Sequence, residues 1–216
     1  MTEGKQLRIA VAGAGAIGRR HIDLVLRSRD CLLMAIADPA PGAAAISNES
    51  GVPLFSSLTD LIAHERPDGV ILATPNSLHL ENGLACIAAG IPTLIEKPLA
   101  DSIESGQRLC EAAERANVKL LTGHHRQHNP IMEKAMAVIR SGQLGRLVAV
   151  VGTEMFCKPD RYFDDGHGAA SPAVVRSSSI WFMKSGICAR YAVRSRPFRL
   201  LHPIQSAGFR LKTRRP

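Results

Sequence analysis

The segment Leu7-Arg-Ile-Ala-Val-Ala-Gly-Ala-Gly-Ala-Ile-Gly18 joins an apolar run to a turn that contains three glycines. The apolar run predicts a buried strand over Leu7–Ala12, and the residues that follow predict a helix over Ala16–Arg29. A Gly-x-Gly-x-x-Gly turn between a strand and a helix is typical of a βαβ unit that binds a dinucleotide. The segment therefore predicts a Rossmann-type nucleotide-binding domain.

The alternation of strand and helix patterns continues through residue 123. Further strands are predicted at Leu32–Ala37, Val52–Phe55, Gly69–Ala73, Pro92–Glu96 and Val118–Thr122. Further helices are predicted at Ser57–Glu65, Asn76–Ala89, Asp101–Ala116 and Pro130–Arg140, with Asp101 as the N-cap of the third of these. This alternation is typical of a parallel sheet with helices on both faces. We therefore expect an α/β fold with a doubly wound parallel Rossmann sheet.

The residue types in the turn Gly13–Gly18 suit a bound pyrophosphate. Gly13 permits the tight turn, Gly15 lets the backbone approach the phosphates, and Gly18 lets the helix pack closely on the strand. The N–H groups at the start of the helix, which include those of Ala16 and Ile17, would face the negative charge. The alternative is a glycine-rich turn in an α/β protein that binds no ligand there.

Asp38 lies twenty residues after Gly18, at the end of the second predicted strand. A carboxylate at this place would accept hydrogen bonds from the adenine-ribose hydroxyls. The same charge would repel the 2′-phosphate of NADP, and no Lys or Arg lies between Asp38 and Arg66 to offset it. NAD is therefore the predicted cofactor, in preference to NADP.

The segment Ala73–His79 follows another predicted strand, where a doubly wound sheet presents its carboxyl edge to a ligand. Thr74 and Asn76 are candidate cofactor contacts in this segment, and Asn76 can also cap the next helix. His79 lies one turn into that helix and is a further candidate. For His79 the alternative is a structural histidine on a helix face.

The segment Glu96-Lys97-Pro98 follows the next predicted strand along the chain. Pro98 disfavours helical geometry at Lys97, so the lysine is expected to project from the strand end toward the cleft. A lysine there can orient substrate hydroxyls or assist proton transfer. The alternative is a surface ion pair between Lys97 and Glu96.

The composition argues against several other classes of protein. The five cysteines are scattered and lack the spacing of a metal site, so we expect reduced thiols and no bound metal. No apolar stretch approaches the roughly 20 residues that cross a bilayer, and the polar N-terminus does not resemble a secretory leader. These features predict a cytoplasmic protein that does not bind membranes.

The formal net charge of +8 is concentrated at one end of the chain. Residues 166–216 contain ten of the 27 Lys and Arg residues and none of the 19 Asp and Glu residues, which leaves the rest of the chain slightly acidic. Such a basic tail can bind nucleic acid. This tail has no helical period and no recognised motif, so a nucleic-acid partner is not favoured.

Four motifs occur together and in order: Gly13-Ala-Gly-Ala-Ile-Gly-Arg-Arg-His21, Ala73-Thr-Pro-Asn-Ser-Leu-His79, Glu96-Lys-Pro-Leu-Ala100 and Gly123-His-His-Arg-Gln-His-Asn-Pro130. With them the sequence resembles the glucose–fructose oxidoreductase, inositol dehydrogenase and MocA family (Gfo/Idh/MocA) from residue 7 to about 165. The resemblance implies NAD(P)-dependent oxidation of a hydroxyl, or reduction of a carbonyl, on a sugar, cyclitol or similar small polyol.

The same resemblance implies roles for single residues. Lys97 matches the family's active-site lysine, and Glu96 would lie beside the nicotinamide. Asn76 and His79 match positions close to the cofactor. Gln127 departs from the family pattern, in which arginine is common at that position.

The resemblance also implies domain boundaries. Residues 1–123 would be the NAD(P)-binding domain, and residues 124–165 the beginning of an incomplete α+β domain for substrate and oligomerisation, with a strand at Arg146–Phe156. Family members then carry a catalytic histidine after a Trp-Arg…Gly-Gly-Gly segment, which residues 166–184 lack. A shifted reading frame can spell that segment. We therefore expect residues 166–216 to be an irregular basic tail produced by out-of-frame translation.

The sequence is compatible with three functions. The favoured one is an oxidoreductase of this family that retains nucleotide binding but is impaired in catalysis. Homo-oligomers, which are usual in the family, are then not assured for this chain. The alternative is a non-enzymatic NAD-binding or regulatory module, and a nucleic-acid binder that uses the basic tail is the least favoured.

Overall fold

The structure is a computed structural model, and it describes residues 5–145, except the side chains of Arg126 and Gln127. Six parallel strands form one sheet in the order β3-β2-β1-β4-β5-β6. The strands are β1 (Leu7–Ala12), β2 (Cys31–Ala37), β3 (Leu54–Phe55), β4 (Gly69–Leu72), β5 (Thr93–Ile95) and β6 (Leu120–Thr122). The helices are α1 (Ala16–Arg27), α2 (Ala43–Ser50), α3 (Leu58–His64), α4 (His79–Ala88), α5 (Ile103–Ala116) and α6 (Pro130–Arg140). The predicted doubly wound α/β fold is thus confirmed.

The strand order reverses at β1, because the chain leaves β3 at one edge of the sheet and returns to pair β4 with β1. Ala12 at the end of β1 lies opposite Ala37 of β2 and Leu72 of β4. The carboxyl ends of these strands therefore meet at one edge. In doubly wound sheets the crevice at such a reversal is where ligands bind.

The two faces of the sheet carry separate aliphatic cores. On β1, Ala10 and Ala12 belong to the core under α3, α4 and α5, whereas Val11 belongs to the core under α1 and α2. This follows from the alternation of side chains along a strand. Small alanines on β1 and β2 let the helices approach the sheet closely, and larger residues such as Leu109 on α5 fill the remaining space.

The structure corrects the predicted elements in three places. Helix α2 was not predicted, because its eight residues are alanine-rich and bury only Ala43, Ile46 and Ser47. The N-cap of α5 is Ser102, whose hydroxyl accepts a hydrogen bond from the Ser105 N–H, and not Asp101. The predicted helix over Asn76–Ala89 begins with a short 3-10 turn before α4.

The other element boundaries agree with prediction to within two residues, and those of β1 and α6 agree in full.

Cys86 belongs to the core, where burial raises the pKa of its thiol to about 11. No helix within residues 5–145 is long and apolar enough to cross a membrane. The strand predicted at Arg146–Phe156 and the tail 166–216 lie outside the described residues.

Candidate functional site

The glycine turn between β1 and α1 packs too closely for side chains at two positions. Gly13 has a φ of +91°, and a Cβ there would lie 2.5 Å from the Ala73 carbonyl oxygen. A Cβ at Gly18 would lie 1.8 Å from the Gly13 carbonyl oxygen. The roles predicted for these two glycines, a tight turn and close packing of the helix, agree with this geometry.

The opposite side of the turn is open. Gly15 is the N-cap of α1, and a Cβ there would meet no atom within 4 Å. No side chain caps the helix, and its first turn contains no acidic residue. The first N–H groups of a helix carry partial positive charge and have no acceptor within the helix. The open space above Gly15 therefore fits a pyrophosphate, which would accept hydrogen bonds from these groups.

Asp38 follows β2 and lies directly beside the turn. Its Oδ2 accepts a hydrogen bond from the Ala14 N–H at 2.5 Å, and its Oδ1 accepts one from the Ala40 N–H at 2.7 Å. The side chain is partly exposed. Because each carboxylate oxygen has a second lone pair, both can still accept a bond from a ligand hydroxyl. The structure thus places Asp38 at the end of β2 and beside the glycine turn, as predicted, and its ribose contact stays a prediction.

His79 lies behind the cleft rather than in it. The residue is fully buried, with its Nδ1 2.8 Å from the Pro98 carbonyl oxygen and its Nε2 2.9 Å from the Thr74 carbonyl oxygen. A ligand cannot reach this ring, which corrects its prediction as a direct cofactor contact. The structural alternative describes it better, since the ring links the loops that follow β4 and β5.

Thr74 and Asn76 remain partly exposed at the end of β4. The Thr74 hydroxyl accepts a long hydrogen bond of 3.4 Å from the Asn82 amide. Asn76 begins the 3-10 turn, and no side-chain hydrogen bond caps this turn or α4. The predicted capping role of Asn76 is therefore wrong, and the side chain is left at the edge of the cleft.

Glu96 is largely buried at the end of β5 and pairs with His21, a residue for which no role was predicted. Its Oε1 lies 2.8 Å from Nε2 of His21 on α1, and its Oε2 accepts the Lys97 backbone N–H at 3.1 Å. Burial acts to raise the pKa of Glu96. The bonds from His21 and Lys97, with their charges, outweigh burial and hold the pKa below its ordinary 4.5.

The alternative prediction for Lys97 was a surface ion pair with Glu96. Among residues 5–145, Glu96 forms its ion pair with His21 and not with the Lys97 side chain. Lys97 is partly exposed, and its peptide bond to Pro98 is cis. His124, which follows β6, lies close enough for the two residues to interact. Burial lowers the pKa of His124, and the charge of Lys97 lowers it further.

His21 and His124 are the site residues that sequence reasoning missed. Both stand in the motifs that carried the family resemblance, at the ends of Gly-x-Gly-x-x-Gly-x-x-His and within Gly-His-His-Arg. Their motif positions were the available signal, but the contact of His21 with Glu96 and the proximity of His124 to Lys97 depend on the sheet order. In the part of the chain that is described, no group of three or more His, Cys, Asp or Glu residues could hold a metal.

Comparison with known proteins identifies a family whose model matches the residues around this site. Residues 7–124 match the family model of the Gfo/Idh/MocA oxidoreductases with an NAD-binding Rossmann fold. This match covers more than half of the chain. It spans the glycine turn, Asp38, the two loops around His79 and the histidine that follows β6.

Individual relatives match over a longer part of the chain. Inositol 2-dehydrogenase of Corynebacterium glutamicum (strain R) is 34% identical over 152 residues, which are 68% of this chain and 45% of that protein. Inositol 2-dehydrogenase of Rubrobacter xylanophilus is 29% identical over 195 residues, 86% of this chain and 54% of that protein. The latter alignment necessarily passes residue 165. The chain spans about half the length of these curated relatives.

A solved structure supports the same fold. The WlbA dehydrogenase of Bordetella pertussis, in complex with NADH and UDP-GlcNAcA, superposes with a TM-score of 0.62 at 30% identity. The match covers 66% of this chain and 44% of that one. The Rossmann half of that enzyme is therefore the part that this chain shares.

Proposed function

The chain belongs to the Gfo/Idh/MocA oxidoreductase family, NAD-binding Rossmann fold, and on this basis we propose that residues 5–124 bind NAD(H) at the carboxyl edge of the sheet. The open, uncapped start of α1 above Gly15 is the observation that carries this proposal. The N–H groups at the start of α1 have no acceptor within the helix, and the space above Gly15 has room for a diphosphate. A bound diphosphate would fill this space and accept hydrogen bonds from these N–H groups.

Each end of the dinucleotide has candidate contacts in the cleft. Asp38 would bind the adenine-ribose hydroxyls, because its carboxylate is fixed by two backbone N–H groups and keeps free lone pairs. Thr74 and Asn76 would line the cleft between the two halves of the cofactor. Lys97, next to the buried Glu96, would face the nicotinamide and the substrate. These contacts agree with NAD rather than NADP, since Asp38 is negatively charged.

The reaction class follows from the family and not from this cleft alone. When bound, the nicotinamide supplies or accepts the hydride. The side chains of this chain would bind and orient the cofactor, and Lys97 would hold the reacting oxygen of the substrate or move its proton. The substrate proposed is a sugar, cyclitol or similar polyol, as the names of the two inositol dehydrogenases and the UDP-sugar complex suggest.

The cofactor proposal is tested by placing an acid at the start of α1. We expect Gly15→Asp to weaken NADH binding about tenfold or more, because the new carboxylate would cap the helix N–H groups and repel the diphosphate. Gly42 provides a matched control, since it is the N-cap of α2 and is equally open. NADH fluorescence titration should show no loss for Gly42→Asp. Equal affinity of both variants would refute the proposed phosphate site.

Turnover is a separate proposal. We expect this chain to bind NAD(H) but to be impaired in the reduction of NAD by a substrate. Absorbance at the NADH band, measured with NAD and a panel of inositols and sugars, tests this. Reduction at the rate of a full-length relative would contradict impaired catalysis. Tight NADH binding without any turnover would favour the non-enzymatic NAD-binding module.

A further inference from the structure

Both oxygens of the Glu96 carboxylate accept hydrogen bonds from groups other than the ammonium of neighbouring Lys97. Nε2 of His21 lies 2.8 Å from Oε1, and the backbone N–H of Lys97 donates to Oε2 at 3.1 Å. The side chains of His21 and Glu96 are 19% and 9% exposed. We propose that His21 is a positioning residue, which acts through Glu96 to keep the Lys97 ammonium available to ligand.

The position of His21 on α1 makes this contact a link between two parts of the site. His21 lies three residues after Gly18 on the helix whose start faces the phosphate space, and the adjacent Ile22 is buried in the core. Glu96 directly follows β5, which lies two strands from β1 in the sheet. The His21–Glu96 contact therefore fixes the end of β5 relative to the glycine turn.

The surroundings of Glu96 restrict its carboxylate further. A Cβ at Gly123 would lie 2.9 Å from the carboxyl carbon and from Oε1, so the backbone after β6 packs directly against the acid. At the other side of Lys97, the Pro98 carbonyl oxygen is 2.8 Å from the buried His79 ring. The segment 96–98 is thus held at both ends, with Lys97 between the two contacts.

Loss of the His21 imidazole would change which group pairs with the Glu96 carboxylate. Without His21, Oε1 of Glu96 loses its partner, and the Lys97 ammonium, whose charge already acts on this carboxylate, can replace it. The lysine would then be drawn into an ion pair and away from the cleft. This positioning role rests on the proposed function of Lys97, although its test requires no NADH.

The experiment follows the reactivity of Lys97 in the full chain. Reductive methylation with formaldehyde modifies neutral amines, and mass spectrometry of peptides gives the rate at each lysine. We expect His21→Leu to slow Lys97 modification about threefold or more, because the amine becomes paired with Glu96. His21→Gln, whose amide can donate to Glu96, should stay within about twofold of wild type. His64→Gln is the control, since His64 lies at the end of α3, where its Nδ1 is 2.8 Å from the Asp60 carbonyl oxygen and its ring lies beside Phe55.

Lys119, which lies outside the cleft, reports general unfolding in the same digest. A Lys97 rate that is unchanged in His21→Leu, or that changes in step with Lys119, would overturn the proposal. Equal effects of His21→Leu and His21→Gln would overturn it as well. If His21→Leu melts below the assay temperature, His21→Asn, with a shorter reach, replaces it and is judged by the same outcomes. Failure of NADH binding would instead refute only the proposed function.

Discussion

At the scale of single residues, Asp38 stabilises the glycine turn and is proposed to set the preference for NAD over NADP. Its carboxylate accepts hydrogen bonds from the backbone N–H groups of Ala14 and Ala40. Replacement by a large side chain would therefore disturb the turn as well as the proposed ribose contact. Asn keeps the shape and removes the negative charge, but it has a single acceptor oxygen, so one of the two N–H groups loses its partner. The ratio of NADH affinity to NADPH affinity therefore reports the charge, because a disturbed turn would weaken the binding of both cofactors.

We expect Asp38→Asn to bind NADH about tenfold more weakly, since hydrogen bonds to a charged acceptor are stronger than those to a neutral one. Its preference for NADH over NADPH should fall, because the repulsion of the 2′-phosphate is gone. Titrations with both cofactors measure the ratio. Asp23→Asn on the exposed face of α1 is the control, and an unchanged ratio in Asp38→Asn would refute the assigned ribose contact.

Glu96 predicts an acid-sensitive contribution to stability. Its pKa is lowered in the fold, so the ionised carboxylate stabilises the chain fully above its ordinary pKa of 4.5, and this contribution is lost as the pH falls through the lowered value. In Glu96→Gln we expect a lower melting temperature near neutral pH and a smaller decline on acidification. Melts between about pH 7 and about pH 3 measure this.

Glu114→Gln, at an exposed position of α5, is the control for that series. It should reproduce the wild-type decline. If Glu96→Gln also declines like wild type, then the carboxylate does not contribute to acid unfolding.

The sequence identified most of the residues around the cleft but not their partners. Asp38 and the glycines were predicted from spacing, and Lys97 from its place after a strand and from the family resemblance, because positions relative to strand ends are local properties. The buried place of His79 and the contact of His21 with Glu96 depend on how α1, β5 and α4 pack. Residues distant in sequence make these contacts, so no local pattern reveals them.

At the scale of elements, the close contact between the turn and α1 makes Gly18 the critical helix residue. We expect Gly18→Ala to destabilise the chain by about 1–3 kcal/mol, because its methyl group would overlap the Gly13 carbonyl. The melting temperature should fall by several degrees and NADH binding should weaken with it. Thermal melts followed by circular dichroism measure the first effect.

Gly106 provides the opposite case. It lies within α5, and a Cβ there would meet no atom within 4 Å. Gly106→Ala should therefore raise stability by about 0.5–1 kcal/mol, the helix preference of alanine over glycine. Destabilisation of both variants to the same extent would contradict the steric account of Gly18.

Element boundaries were predictable where a strong signal stood at each end. Strand β1 lies between a polar N-terminus and Gly13. Helix α6 begins at Pro130, directly after its N-cap Asn129, whose side-chain oxygen accepts a hydrogen bond from the Ile131 N–H. Helix α2 has no such signal at its start, since neither an acid nor a capping side chain marks it, although Gly51 ends the helix in the left-handed region. Its few buried residues are determined by packing on β2 rather than by periodicity.

At the scale of the whole molecule, the sheet brings its functional segments to one edge. The ends of β1, β2, β4 and β5 meet there, with the end of β6 beside them. The alternation of strands and helices was enough to predict this arrangement, because parallel strands joined by helices leave all carboxyl ends on one side. The boundaries of residues 124–165 and the out-of-frame origin of residues 166–216 stay predictions.

Hydrogen exchange of the full chain, with and without NADH, tests the central claim most directly. NADH should protect amides in the turn Gly13–Gly18, in residues 38–40 and in the segments after β4 and β5. Amides at the amino edge of the sheet should exchange equally in both samples. Absence of protection in the turn, or protection confined to residues 166–216, would contradict an NAD(H) site at the carboxyl edge.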